Sequence, residues 1–272
     1  MSGICTKELV LVRHGESEYN VANRASRRGD HSLLTTRLKH ANSGNFRLSP
    51  LGRTQAAQAG NWLKKEFGSF DYYATSPYIR AIETAGLLGF PHARWEKNKY
   101  FIERSYGDLE LKPQTDPRNV RAALGRNERE GKTDLLFWRP PGGENFVELC
   151  VRVCVGFQKI FMQNPHARKI LIVCHGEVMY AAHMIFGSMS DEECVRRQIS
   201  KNGNEKIWNC EILHYAGFFR RDCAAAGLSF SRFRTIRPTA HPADASAWMH
   251  IRPEYASSED LLREAERHPR LL

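Results

Sequence analysis

An apolar run, Leu9-Val10-Leu11-Val12, delivers Arg13 and His14 side by side and turns at once into Gly15-Glu16-Ser17. A guanidinium beside an imidazole at the carboxyl end of a buried strand suits an anion, because open α/β sheets bind ligands at that edge. The pattern occurs twice: Ile170-Leu171-Ile172-Val173-Cys174 is an apolar run that ends in His175-Gly176. Two such strands in one sheet would bring His14 and His175 to the same edge and make a two-imidazole site. A glycine after each histidine permits a sharp turn and lets backbone N–H groups come close to an anion. A helix starting near Ser17 would point its positive end into the same space. Taken singly, each histidine has a plainer reading as a hydrogen-bonded structural residue.

The elements that must position these residues alternate between strand and helix patterns, which predicts an α/β protein, a three-layer α/β/α sandwich around a mostly parallel central sheet. Residues 7–13 read as the first strand. Ser49 is a candidate N-cap and Pro50 the first position of a helix running toward Phe67. Residues 71–75 read as a short strand, 78–88 as a helix, and 95–102 as an extended segment entering Glu103-Arg104-Ser105-Tyr106-Gly107. A polar, arginine-rich stretch over 112–133 reads as an excursion above the sheet. After the breaker Pro140-Pro141-Gly142-Gly143, residues 144–162 carry apolar side chains at helical spacing. Strand 169–174, helix 178–186 and strand 210–215 follow. An alternating segment over 228–236 and a capped helix start at Ser258-Glu259-Asp260 complete the chain. The expected organisation is one α/β domain over 1–217, with a basic insertion at 21–47 and an excursion at 108–140. Residues 218–272 would form an extension packed on it or trailing from it.

With 272 residues and 42% hydrophobic content, the chain can bury a substantial core. No stretch approaches the roughly 18 to 20 apolar residues that a membrane span needs, and the amino terminus lacks the pattern of a secretory signal. A soluble protein of the cytoplasm is therefore expected, without a membrane partner. Seven cysteines, an odd number with no C-x-x-C pair, read as reduced, packed thiols. Cys150 and Cys154 share a helix face, where core packing is preferred to metal binding. The formal charge of +10 favours an anionic partner. Arg24, Arg27 and Arg28 form one basic cluster, and Arg232, Arg234 and Arg237 another. No nucleic-acid-binding module accompanies them, which argues against nucleic acid as the partner. Assembly into a homo-oligomer is left open.

Arg13-His14-Gly15-Glu16-Ser17 with Asn20 resembles the R-H-G-E-S-x-x-N signature of the histidine phosphatase superfamily, the phosphoglycerate mutase-like fold. The run from Ser76-Pro77 through Arg80 to Ala85 is similar to the family segment that supplies a second phosphate-binding arginine. Glu103-Arg104-Ser105-Tyr106-Gly107 resembles the segment that carries the proton donor, and Cys174-His175-Gly176 the second histidine. The four stand in family order over residues 7 to 215. The resemblance implies that His14 attacks phosphorus and becomes phosphohistidine. It assigns Arg13, Arg80, His175, Gly176 and Asn20 to the phosphoryl oxygens, and Glu103 to proton transfer. No cofactor and no metal are implied. Arg24, Arg28 and Arg139 are further candidates for substrate contact.

Within that family, Pro141-Gly142-Gly143-Glu144-Asn145 is similar to the P-G-G-E-S segment usual in phosphatase branches, with Asn145 in place of serine. The insertion at 21–47 is longer than usual and leaves the pocket roof undefined. The expectation is a metal-independent phosphomonoesterase acting on a small phosphorylated metabolite. The alternatives are a phosphoglycerate-type mutase and a catalytically weak module that binds a phospho-ligand or nucleic acid.

Overall fold

The two strands that end in histidine lie side by side. In a computed structural model, β1 (Cys5–Arg13) and β4 (Lys169–Cys174) pair in parallel, from Glu8 opposite Lys169 to Arg13 opposite Cys174. The structure describes residues 5–34, 42–110, 136–200, 202–219, 230–240, 246–251 and 257–267. Most of the 108–140 excursion, part of the 21–47 insertion and the start of the 228–236 segment therefore lie outside the described residues.

Both strands contain a continuous apolar run, Leu9 to Val12 and Ile170 to Cys174, because both faces are covered there. Leu9, Leu11, Ile170 and Ile172 point into a cluster with Phe146, Val153 and Phe157 of α4 (Phe146–Gln163) and Val178 and Ala182 of α5 (Gly176–Ile185). Val10, Val12, Leu171 and Val173 point the other way. They meet Ala56, Ala59 and Leu63 of α2 (Pro50–Phe67) and Ala81 and Ala85 of α3 (Ile79–Leu87). Helix α1 (Glu18–Arg27) follows β1 directly. The result is the expected three-layer α/β/α sandwich.

The sheet order is β3-β2-β4-β1-β5-β6-β7. Strands β2 (Tyr72–Thr75) and β3 (Trp95–Lys97) continue the parallel half beyond β4. On the other side β5 (Ile212–Phe219), β6 (Arg232–Ile236) and β7 (Met249–His250) add antiparallel pairings. The sheet is thus mixed in its pairings, although β6 runs in the direction of β1. The segment after residue 217 reaches the core, since Phe230 and Phe233 pack in the α4/α5 cluster and Ile236 in the α2/α3 cluster.

Local boundaries follow chemistry that the sequence carries. Ser49 caps α2 by accepting from Gly52 N at 3.1 Å, with Pro50 at the first helical position. Asn145 and Glu148 form a reciprocal capping box at α4. The expected extended segment 95–102 is instead cut short after Lys97, because the Asn98 side chain accepts from Tyr100 N and closes a 3-10 turn. The last helices are α6 (Asp191–Ile199) and α7 (Ser258–Glu266), the latter capped by Ser257, one residue before the expected start.

After β1 the chain reaches α2 on one face of the sheet, whereas after β4 it enters α5 on the other face. Chains that depart to opposite faces open a crevice at the strands' carboxyl ends, the standard ligand position of open α/β sheets. His14 and His175 stand at that crevice.

Candidate active site

His14 is held by β4 and by the turn that precedes β5. Its backbone N–H donates to Cys174 O at 3.0 Å, and its carbonyl accepts from Asn209 Nδ2 at 3.0 Å. The ring is 2% exposed. Nδ1 lies 2.7 Å from Gly15 O, and because a carbonyl only accepts, Nδ1 carries the hydrogen. Nε2 is left with its lone pair, which meets Arg80 Nε–H at 3.1 Å. Burial first, then Arg80 and Arg13, hold the His14 pKa well below the usual imidazole value. The neutral ring with Nε2 outward is the nucleophilic form.

The second imidazole lies close by, with the His14 and His175 ring centroids 5.1 Å apart. His175 is likewise kept neutral by burial and the adjacent arginines. Its Nε2 lies 2.8 Å from Ser76 Oγ, at the end of β2. With the hydroxyl as donor, Nδ1 carries the hydrogen and offers an N–H to an oxygen ligand. That Nδ1 and Arg13 Nε are both buried without a hydrogen-bond partner among the described residues. An unmet buried polar group costs about 1–3 kcal/mol, which an anion at this spot would offset.

The two arginines enter from different elements and are each fixed by a carbonyl. Arg13 Nη1 donates to Ile207 O at 2.5 Å, and Arg80 Nη1 to Ser43 O at 2.7 Å. Ser43 belongs to the basic insertion, so that segment returns to brace the α3 guanidinium. Arg80 is 5% exposed and stacks 4.9 Å from the Tyr78 ring.

Glu103 follows the 3-10 turn and is partly buried, its Oε1 accepting from Arg104 N at 3.1 Å. Burial, and then the Glu177 carboxylate, push its pKa up to about 7 against the pull of Arg80 and Arg13. A carboxyl that titrates near neutrality can give and take a proton in turn.

The glycine after His14 has a different use from the one expected. Gly15 N–H is taken by Thr84 Oγ1 at 3.0 Å, so it does not face an anion. A Cβ on Gly15 would come 2.4 Å from Gly52 O, and one on Gly52 would come 2.0 Å from Glu16 O. The two glycines let the loop that carries His14 lie directly on the first turn of α2. Ser49 Oγ donates to the buried Glu16 at 2.8 Å and locks the same contact. Gly52→Ala is therefore expected to lose about 1–3 kcal/mol or more by overpacking and to lower Tm by several degrees. Thermal unfolding checks this, and a wild-type Tm would show that the loop has room to move.

The remaining sequence candidates divide. Asn20 Oδ1 accepts from Ser17 N at 3.0 Å and Asn209 Nδ2 at 3.3 Å, which anchors its oxygen and leaves the amide nitrogen able to donate. Gly176 begins α5, and a Cβ there would sit 3.5 Å from Arg13 Nε, an ordinary contact. Arg24 is paired with Glu16 at 2.5 Å, Arg139 is paired with Glu148 of α4, and Arg28 is exposed at the end of α1. Sequence reasoning missed Ser76, Thr84, Asn209 and Glu177. The turn holding Asn209 includes Cys210 at φ 56, an uncommon conformation for a residue other than glycine.

Comparison with known proteins places the chain in a family. The family model of the histidine phosphatase superfamily (branch 1) matches residues 9–210. A 2,3-bisphosphoglycerate-dependent phosphoglycerate mutase of Bartonella bacilliformis is 32% identical over 205 residues, which cover 71% of this chain and 88% of that protein. Among solved structures, a mycobacterial glucosyl-3-phosphoglycerate phosphatase superposes with a TM-score of 0.55 at 20% identity, covering 78% of this chain and 91% of its own. A phosphoglycerate mutase from Bacillus anthracis superposes with a TM-score of 0.57 at 18% identity, over 80% and 92% of the two chains. At such identities the structural likenesses speak to the fold alone.

Proposed function

The chain belongs to the histidine phosphatase superfamily, and on that footing we propose that it is a phosphomonoesterase that hydrolyses a small phosphorylated metabolite through phospho-His14. The observation that carries this reading is the His14 ring itself: neutral, its Nε2 lone pair presented beside Arg80, with Arg13 and His175 around it. In the first step Nε2 forms a bond to phosphorus in line with the departing oxygen, the ester P–O bond breaks, and Glu103 gives its proton to that oxygen. In the second step Glu103 takes a proton from water, whose oxygen attacks phosphorus. The P–N bond breaks, and phosphate leaves a neutral His14. Arg13, Arg80 and His175 supply donors to the equatorial oxygens, where the charge of phosphoryl transfer must be held. These fixed groups provide the electrostatic stabilisation without a call on a metal ion.

A mutase reading is favoured by the curated relative, which is named a phosphoglycerate mutase. It requires a second anionic group of the substrate to be held. Among the described residues, two of the three candidates for such contact, Arg24 and Arg139, are already paired with carboxylates. Water as acceptor needs only Glu103. Chelator-treated protein should therefore release phosphate steadily from phosphate esters. Phosphoryl exchange between phosphoglycerates that depends on a bisphosphate primer, with little net release, would favour the mutase. Salt-sensitive RNA or DNA binding with no turnover would replace both by a binding module.

A further inference from the structure

Glu177 opens α5 two residues after His175, and its carboxylate reaches back to the segment that carries Glu103. Oε1 accepts from Tyr106 OH at 2.5 Å, and Oε2 faces Arg104 Nη1 at 3.4 Å. Arg104 is 5% exposed and is itself fixed by Glu144 O at 2.9 Å and Trp138 O at 3.2 Å. Glu103 thus sits in a segment whose next residue and whose third neighbour are both clamped by one carboxylate. We propose that Glu177 is a positioning residue for the reaction: through Arg104 and Tyr106 it sets how Glu103 meets the leaving oxygen. The proposal rests on Glu103 being the general acid.

The plainer reading of an acidic residue in the first turn of a helix is that it complements the helix dipole. That role would not involve Glu103. The groups that interact electrostatically with Glu103 are Arg13 on β1, Tyr19 on α1, Tyr78 and Arg80 at the start of α3, Cys174 on β4, Glu177 on α5 and Tyr106 of its own segment, beside the Arg104 N–H from which it accepts. Glu177 alone among them is a carboxylate. A like charge disfavours ionisation, so Glu177 raises the Glu103 pKa while Arg80 and Arg13 lower it. Without Glu177 the two arginines act unopposed apart from burial, and Glu103 would give up its proton at lower pH.

The test is the pH profile of kcat/KM for an ester with a poor leaving group, in the full-length protein. Glu177→Gln keeps an acceptor for Tyr106 and removes the charge, so the basic limb is expected to move down by about one pH unit. Activity at pH 8 would then fall about tenfold, with little change at pH 5. The kcat/KM of an aryl ester whose leaving group needs no proton should be unmoved at both, because it reports only the first phosphoryl transfer. A basic limb at its wild-type position, or equal loss at every pH on both esters, overturns the proposal. If the amide variant does not fold, Glu177→Asp carries the test, because it keeps the charge and loses the reach. Lower kcat on the poor-leaving-group ester at unchanged KM is expected, and wild-type kcat overturns the proposal. A Glu103→Gln enzyme with full activity on both esters would remove the general-acid reading itself. A slow Glu103→Gln enzyme together with an unmoved limb in Glu177→Gln removes only the role of Glu177.

Discussion

Replacing His14 with Ala is expected to abolish turnover, with kcat lower by on the order of 10⁴ to 10⁶, while the fold is kept. The magnitude follows from covalent participation. The arginines and His175 would still bind a phosphate ester, but among the described residues the nitrogen lone pair that meets Arg80 is that of His14 Nε2. His14 makes its backbone bonds to Cys174 and Asn209 regardless of its side chain, so the crevice should survive the change. The companion measurement is trapping. Wild-type protein quenched during turnover of a labelled ester should carry label that is stable in base and lost in acid, as expected of a phosphorus–nitrogen bond, and His14→Ala should carry none. Near-wild-type turnover in the variant would place the nucleophile elsewhere and end the mechanism.

The parts of the fold that could be read from the chain are those where one physical cause dominates. Strands β1 and β4 are buried on both faces over Leu9 to Val12 and Ile170 to Cys174, so there their sequences are unbroken apolar runs that end at a charged or polar residue. That made their endings, and hence the meeting of His14 with His175, legible. Helix α2 is marked in the sequence by its Ser49-Pro50 cap, and α4 by apolar side chains at helical spacing after the breaker from Pro140 to Gly143. The antiparallel side was not legible in the same way. Strand β6 takes its place because Phe233 and Ile236 pack on opposite faces next to β5, and the pairing partner of a five-residue strand is set by tertiary contact rather than by its own pattern.

The site divides along a similar line. Residues proposed to act on an anion through their own chemistry, such as Arg13, His14, Arg80 and His175, stand out by type at a strand or helix end. Residues that act through others do not. Thr84 spends its hydroxyl on Gly15 N, and Ser76 its hydroxyl on His175, and either reads in sequence as an ordinary polar residue at an element boundary or on a helix. Asn209 lies almost two hundred residues from His14 and is brought to it only by the β1–β5 pairing. Gly15 reads in sequence as room for an anion, whereas the space it leaves is filled by the backbone of α2.

Glu103→Gln separates the two halves of the reaction. The carboxyl is pushed up to about 7, so it is largely protonated below that pH and can serve as an acid, and kcat/KM for an ester with a poor leaving group should fall as pH rises through 7. The amide keeps the oxygen that accepts from Arg104 N but has no proton to transfer. For poor leaving groups kcat/KM is therefore expected to drop by about 10² to 10⁴ and to lose its basic limb. An aryl ester whose phenolate departs unaided should keep kcat/KM within about tenfold, because that parameter reports only steps up to the first phosphoryl transfer. Its steady-state kcat should nevertheless fall, since water attacking phospho-His14 still needs a base. The phosphoenzyme would then accumulate, and rapid mixing should show a burst of phenolate close to one equivalent of enzyme. Equal losses in kcat/KM on both esters, with no burst, would mean that Glu103 only holds the segment in place.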